Sequence, residues 1–158
     1  GLVPSPADFR AVVGHRYFYI DPMSAFRRLG VVFRFPEPPW PGDEHLRHIQ
    51  TSEELKSVSK RFGNCAFNHL EACFAGSRVF YEWCGAEPAL VELRVIAGLS
   101  WGVSQVLGVG NVDVSSRTLI AIAAALPDHV INRRYYRQIE MFGLRASEIV
   151  PELRSFLE

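Results

Sequence analysis

Cys65 is the side chain in this sequence best placed to act as a nucleophile. It begins a predicted helix over Cys65–Phe74. Gly63 ends the preceding helix, and Asn64 is the N-cap of this one. A thiol in the first turn of a helix lies at the positive end of the helix dipole, which favours the reactive thiolate. His69 follows one helical turn later as a candidate base, and His129 is a second candidate. The alternative is a buried cysteine that packs as a small hydrophobic residue.

Two polar residues in apolar predicted strands are candidates for the same site. Glu92 lies in one strand, and Gln105 lies in the next, on the same face as Trp101, Val103 and Leu107. A polar group on an apolar face costs a few kcal/mol unless it is hydrogen-bonded, so we expect both to have partners. For Glu92 the alternative is a solvent-facing position.

Asn111 ends the sequence Gly108-Val109-Gly110-Asn111, which lacks the pattern of a phosphate-binding loop. It predicts a turn with Asn111 in a left-handed conformation. If the site is catalytic, Cys65 is the nucleophile, His69 or His129 the base, and Gln105 or Asn111 the oxyanion donor.

A metal site is a second interpretation of the cysteines. Cys65, His69 and Cys73 lie at positions i, i+4 and i+8 of the predicted helix, with Cys84 on the following strand. These are acceptable zinc ligand types. The usual short Cys-x2-Cys or His-x3-His spacing is absent, and three ligands along one helix span about 12 Å of rise. We therefore predict no metal and no cofactor.

A helix predicted over residues 133–142 carries a different kind of surface. Arg133, Arg134, Tyr135 and Arg137 combine guanidinium with an aromatic group, which is typical of nucleic-acid contact. The alternative function is thus a non-enzymatic module that binds nucleic acid or a partner protein. The chain has 17 basic and 17 acidic residues, so its net charge gives nucleic-acid binding little support.

The elements that must position these residues predict an α+β fold with N-terminal helices, a small antiparallel three-stranded meander and C-terminal helices. Thr51 and Glu54 form a capping-box pattern before a helix that ends at Gly63. Short turns that contain glycine favour the antiparallel meander over a parallel sheet. Its predicted strands are 77–84, 89–96 and 101–107. A helix capped by Ser115 or Ser116 follows, and the last two predicted helices are 133–142 and 147–157.

A proline-rich linker at 36–42 is the predicted internal boundary. It holds four prolines and a glycine in seven residues, which excludes regular structure. The length of 158 residues favours a single domain, in which the linker separates a small N-terminal subdomain (1–35) from the core (43–158). A strand is predicted at the end of that subdomain, over Val31–Phe35.

Composition indicates a globular protein of the cytoplasm with no membrane contact. Apolar residues make up 48% of the chain and aromatic residues 12%, which excludes an intrinsically disordered chain. Three cysteines, an odd number, and the lack of a secretory leader argue against a secreted disulfide scaffold. No apolar run approaches the roughly 18 residues that a membrane-spanning helix needs.

An ordered set of motifs runs from about Ile49 to Asn111. It comprises Thr51-Ser52-Glu53-Glu54-Leu55, Asn64-Cys65, Gly76 before an aromatic strand, Val91-Glu92-Leu93, and then Gln105, Gly108 and Asn111. This order and spacing resemble the PcfJ-like family, which is encoded on conjugative plasmids, phages and related mobile elements. The resemblance implies an accessory domain of mobile-element type, without an established reaction. Family members often have His directly before the cysteine, where this chain has Asn64, so a basic partner here must be His69 or His129.

Overall fold

The computed structural model describes residues 30–96 and 100–128 of the chain. Within these ranges the fold is α+β, as predicted, and it also contains two short 3₁₀ turns. In chain order the elements are β1 (Leu46–His48), α1 (Ser52–Phe62), a 3₁₀ turn (Ala66–His69), α2 (Leu70–Phe74), β2 (Arg78–Trp83), β3 (Ala89–Ile96), β4 (Ser100–Gly108), a second 3₁₀ turn (Val109–Asn111) and α3 (Ser116–Ala125).

The described strands form one antiparallel sheet in the order β1-β2-β3-β4. The meander of β2, β3 and β4 is confirmed, but the predicted strand number of three is wrong because β1 adds a fourth strand at the edge. This strand is only three residues long, too short to show a period of two in the sequence. It is defined by its pairing with β2, where Leu46 lies opposite Trp83 and His48 opposite Tyr81.

Both ends of α1 have the predicted caps. The Thr51 hydroxyl accepts a hydrogen bond from the Glu54 backbone N–H at 3.2 Å, while the Glu54 carboxylate accepts from the Gln50 N–H at 2.7 Å. Gly63 ends the helix with φ 61°, a left-handed conformation that glycine adopts without Cβ strain. The chain therefore turns sharply at Gly63, directly before the segment that contains Cys65.

The sheet separates two hydrophobic clusters, one on each face. One face of β2 and β3 packs with α3, through Tyr81, Val91 and Ile122 among others. The opposite face packs with α1 and α2, and its buried side chains include Leu55, Phe62, Leu70, Phe80 and Leu90. The second face carries the candidate site, because Glu92 continues the row that Leu90 begins on alternate positions of β3.

The segment before β1 lies against this second cluster. The predicted strand over Val31–Phe35 is reduced to an isolated bridge between Arg34 and Thr51, and residues 36–42 contain no helix or strand. Phe35 is a member of the α1 cluster, and Phe33 is 1% exposed. The proposed N-terminal subdomain is otherwise composed of residues 1–29, which lie outside the described ranges, so the division stays a prediction.

The C-terminal predictions also fall outside the described residues. These comprise His129, the predicted helices 133–142 and 147–157, and the candidate nucleic-acid contacts Arg133, Arg134, Tyr135 and Arg137. The helix predicted after the meander is confirmed, since Ser115 caps α3 by accepting from the Thr118 N–H. Across 30–96 and 100–128, none of the helices combines the length and the apolar character that crossing a bilayer would require.

Candidate functional site

A cleft of about 240 Å³ opens on the sheet face beside the first 3₁₀ turn. Five of the candidate residues line it, although they come from three separate parts of the chain: Cys65, His69, Glu92, Gln105 and Asn111. Its other described lining residues are Asn64, Ala66, Phe80, Leu90 and Leu107. The arrangement therefore combines an apolar wall with a thiol, an imidazole, a carboxylate and three amides.

Asn64 and Cys65 form the turn that enters the cleft. The Asn64 side-chain oxygen accepts a hydrogen bond from the Ala66 N–H at 3.0 Å, so Asn64 fixes the chain after Gly63. The predicted α-helix over Cys65–Phe74 is wrong in its first half, where a 3₁₀ turn precedes the five-residue α2. The tighter turn follows because the Asn68 N–H bonds back three residues, to the Cys65 carbonyl, at 2.8 Å.

Cys65 is exposed at this turn and is a free thiol. The turn lies next to the loop that carries Asn111, since a Cβ atom added at Gly63 would be 3.9 Å from the Gly110 Cα. The argument from a long helix dipole does not hold here, because the helical segment directly after Cys65 is a 3₁₀ turn of four residues. Any activation of the thiol must come from neighbouring side chains.

His69 ends the 3₁₀ turn and is half-buried on the cleft wall. Its ring stacks on Phe80, with centroids 6.2 Å apart and an interplanar angle of 24°. Burial lowers the pKa of His69 below its ordinary value, the nearby Arg78 charge lowers it further, and Glu92 opposes both effects. The imidazole is therefore neutral at pH 7, which is the form that accepts a proton.

Glu92 is buried in the centre of the sheet at 5% exposure, which overturns the alternative of a solvent-facing carboxylate. Its Oε1 lies 3.2 Å from Nη1 of Arg78 on β2. The sheet register explains this partner, since Glu92 pairs with Phe80 and Arg78 is two residues away on the same face. The expectation that a buried Glu92 needs a partner is met by this ion pair.

Gln105 reaches the cleft through an irregularity in the sheet. Glu92 is opposite Gln105 and Leu93 is opposite Val103, so Ser104 is an extra residue in β4. The predicted common face of Trp101, Val103, Gln105 and Leu107 is therefore wrong. Trp101 and Val103 pack against the α3 cluster, whereas Gln105 and Leu107 line the cleft on the other face. A β-bulge re-aims side chains in this way.

Asn111 closes the rim of the cleft from the second 3₁₀ turn. Its φ is 61°, which confirms the predicted left-handed conformation. It is the one residue other than glycine with positive φ in the described ranges. Asparagine tolerates this conformation better than most residues, so its type here serves both the turn and the cleft.

The remaining cysteines do not join Cys65. Cys73 is 1% exposed, and burial raises the pKa of its thiol to about 12, so it stays protonated at neutral pH. Cys84 is exposed at the end of β2 and does not line the cleft. Among the residues that the structure describes, no group of three or more His, Cys, Asp or Glu side chains could hold a metal ion.

Sequence reasoning missed two contributors to the site. Asn64 was expected as a helix cap and as part of the Asn64-Cys65 motif but not as a site residue, and it lines the cleft. Arg78 was not singled out, although it holds Glu92 and contributes to the electrostatics of His69. The signal for Arg78 is its place at the start of a strand whose next four residues are all buried, since a cation there requires an anionic neighbour.

No protein-family model matches this chain, and no curated protein and no solved structure is significantly similar to it.

Proposed function

We propose that the cleft is a thiol-dependent acyl-transfer site, with Cys65 as nucleophile and His69 as general base. The observation that carries the proposal is the lining of one open cleft by Cys65, His69, Gln105 and Asn111. Exposure of Cys65 leaves the thiol accessible to a substrate, and the lowered pKa keeps the His69 imidazole in the neutral form that accepts a proton. Gln105 or Asn111 supplies the amide N–H that stabilises the oxyanion.

The reaction is the hydrolysis of an ester or amide through a thioester on Cys65. His69 takes the proton of the Cys65 thiol as Sγ bonds to the carbonyl carbon, and the carbonyl oxygen becomes the oxyanion. Collapse of this adduct breaks the bond to the leaving alcohol or amine, which receives the proton from His69. Water then attacks the thioester with His69 again as base, and the acid and the free thiol are released.

The context of this activity, as we propose it, is an accessory domain of the PcfJ-like type on a mobile element. The support is the ordered motif set, whose polar members Cys65, Glu92, Gln105 and Asn111 line one cleft. Residence in the cytoplasm belongs to the same proposal. Three free thiols favour a reducing compartment.

Acylation by p-nitrophenyl acetate tests the proposal, because Cys65 and Cys84 are both exposed and provide an internal comparison. We expect a burst of p-nitrophenolate and one acetyl group on Cys65, located by peptide mass spectrometry. The Cys84→Ser variant should keep the burst and Cys65→Ser should lose it. His69→Gln should slow acylation about 100-fold.

Two further variants identify the oxyanion donor. Asn111→Gly removes the amide but keeps a residue that accepts the left-handed backbone, and Gln105→Ala removes the other amide. Loss of the true donor should lower the acylation rate about 100-fold. Equal acetylation of Cys65 and Cys84, or an unchanged rate in His69→Gln, would refute the proposed mechanism.

A further inference from the structure

The carboxylate of Glu92 contributes the one formal charge among the described residues that line the cleft. His69 is neutral at pH 7, and the remaining lining side chains are amides, a thiol and apolar groups. Phe80, Leu90 and Leu107 contribute apolar surface to the same cleft. An ionised group in such surroundings requires charge-assisted hydrogen bonds to offset its lost hydration.

Arg78 satisfies Glu92 only in part. In the ion pair, Oε1 of Glu92 lies 3.2 Å from Nη1 of Arg78, whereas a carboxylate can accept about four hydrogen bonds. Neither oxygen of Glu92 is buried without a hydrogen-bond partner, since among described side chains that condition applies to Nε2 of His48. The acceptor positions that Arg78 leaves on Glu92 are therefore open to the cleft.

We propose that Glu92 binds a cationic nitrogen group, an ammonium or a guanidinium, of the molecule that occupies the cleft. This inference rests on the proposed function and narrows its substrates to acyl compounds that carry a positive charge near the reacting carbonyl. Cys65 and Glu92 line the same 240 Å³ cleft, which places the nucleophile and the carboxylate at one binding space. Arg78 carries the opposite formal charge 3.2 Å from the carboxylate, from outside the lining, which keeps the selectivity moderate.

Charge-selective alkylation of Cys65 tests this inference. 2-Bromoethylamine and 2-bromoethanesulfonate differ in the sign of their charge but react alike: Sγ bonds to the carbon that bears bromine, and bromide leaves with the electron pair. The measured quantity is the ratio of the two rates at Cys65 in the full chain with Cys84→Ser. We expect Glu92→Gln to lower the cation-to-anion ratio about fivefold. Arg78→Met removes the offsetting charge and should raise the ratio.

Each result bears on the inference. An unchanged ratio in Glu92→Gln overturns it, because the ratio cancels any change in the intrinsic reactivity of Cys65. If Glu92→Gln does not fold, the parent chain decides: the ratio at Cys65 must be higher in the folded chain than in urea, and an equal or lower ratio overturns the inference. Failure of the proposed function is a separate outcome, since it appears as an unchanged rate of acylation by neutral p-nitrophenyl acetate in His69→Gln.

Discussion

His48 couples the stability of the fold to pH. It lies on β1 opposite Tyr81, is 6% exposed, and its ring centroid is 5.4 Å from that of Tyr81. Its Nε2 is buried without a hydrogen-bond partner among the described residues. Burial lowers the pKa of His48 from 6.5 to about 4, and the nearby Glu54 charge opposes this shift only in part.

The sign and size of the effect follow from proton linkage. An unfolded chain binds a proton at this histidine near pH 6.5, whereas the folded chain does so only near pH 4. The unfolding free energy is therefore at its full value above pH 6.5 and decreases as the pH falls from 6.5 towards 4. Between pH 7 and pH 5 the shift corresponds to about 2 kcal/mol of lost unfolding free energy.

His48→Phe should remove this pH dependence while it keeps an aromatic ring against Tyr81. Urea denaturation at pH 7 and pH 5 provides the unfolding free energies of the parent chain and the variant. We expect the parent to lose about 2 kcal/mol more than the variant between the two pH values. The carboxylate Glu82 has its pKa lowered by its hydrogen bonds with Arg61, so its contribution is lost below this window.

At pH 7 the same variant should be at least as stable as the parent. Phenylalanine leaves no buried nitrogen without a partner, and an unsatisfied buried polar group costs about 1–3 kcal/mol. An equal fall in stability for both proteins between pH 7 and pH 5 would refute the assignment of the pH dependence to His48.

Two further substitutions test the frame of the site. Glu82→Gln should lower the unfolding free energy by about 2 kcal/mol, because the Glu82 side chain is only 10% exposed and pairs with both Arg61 and Arg47, which are themselves half exposed. The matched control is Glu44→Gln, at a side chain that is 86% exposed. A change above about 0.5 kcal/mol in this control would count against the explanation. Gly63→Ala should cost about 1 kcal/mol in thermal unfolding because φ is 61°, and an unchanged midpoint would contradict the strain argument.

Local chemistry explains which parts of this fold could be predicted. The Thr51 cap, the Gly63 stop, the β3 boundaries and the left-handed Asn111 each depend on side chains within a few residues, and the structure contains all of them. In contrast, β1 depends on a partner strand 35 residues away, where Arg47 lies opposite Glu82. Its three residues carry no periodic signal of their own.

The candidate site was predictable as a set of residues but not as a geometry. Polar types in apolar surroundings identified Cys65, Glu92, Gln105 and Asn111, which line one cleft. The routes by which they reach it differ from expectation, through a 3₁₀ turn at Cys65 and an extra residue in β4. Both depend on backbone hydrogen bonds, which residue type alone does not determine.

The extra residue Ser104 sets the spacing along β4 between the side chains of the α3 face and those of the cleft face. Before Ser104 the odd-numbered residues of β4, such as Val103, lie on the α3 face. After it the odd-numbered residues, such as Gln105, lie on the cleft face. Deletion of Ser104 would restore regular alternation in β4 and leave Gln105 opposite Glu92 on the cleft face. A homologous chain that lacks this residue should therefore carry its cleft residue directly after the equivalent of Val103, where this chain carries it two positions later.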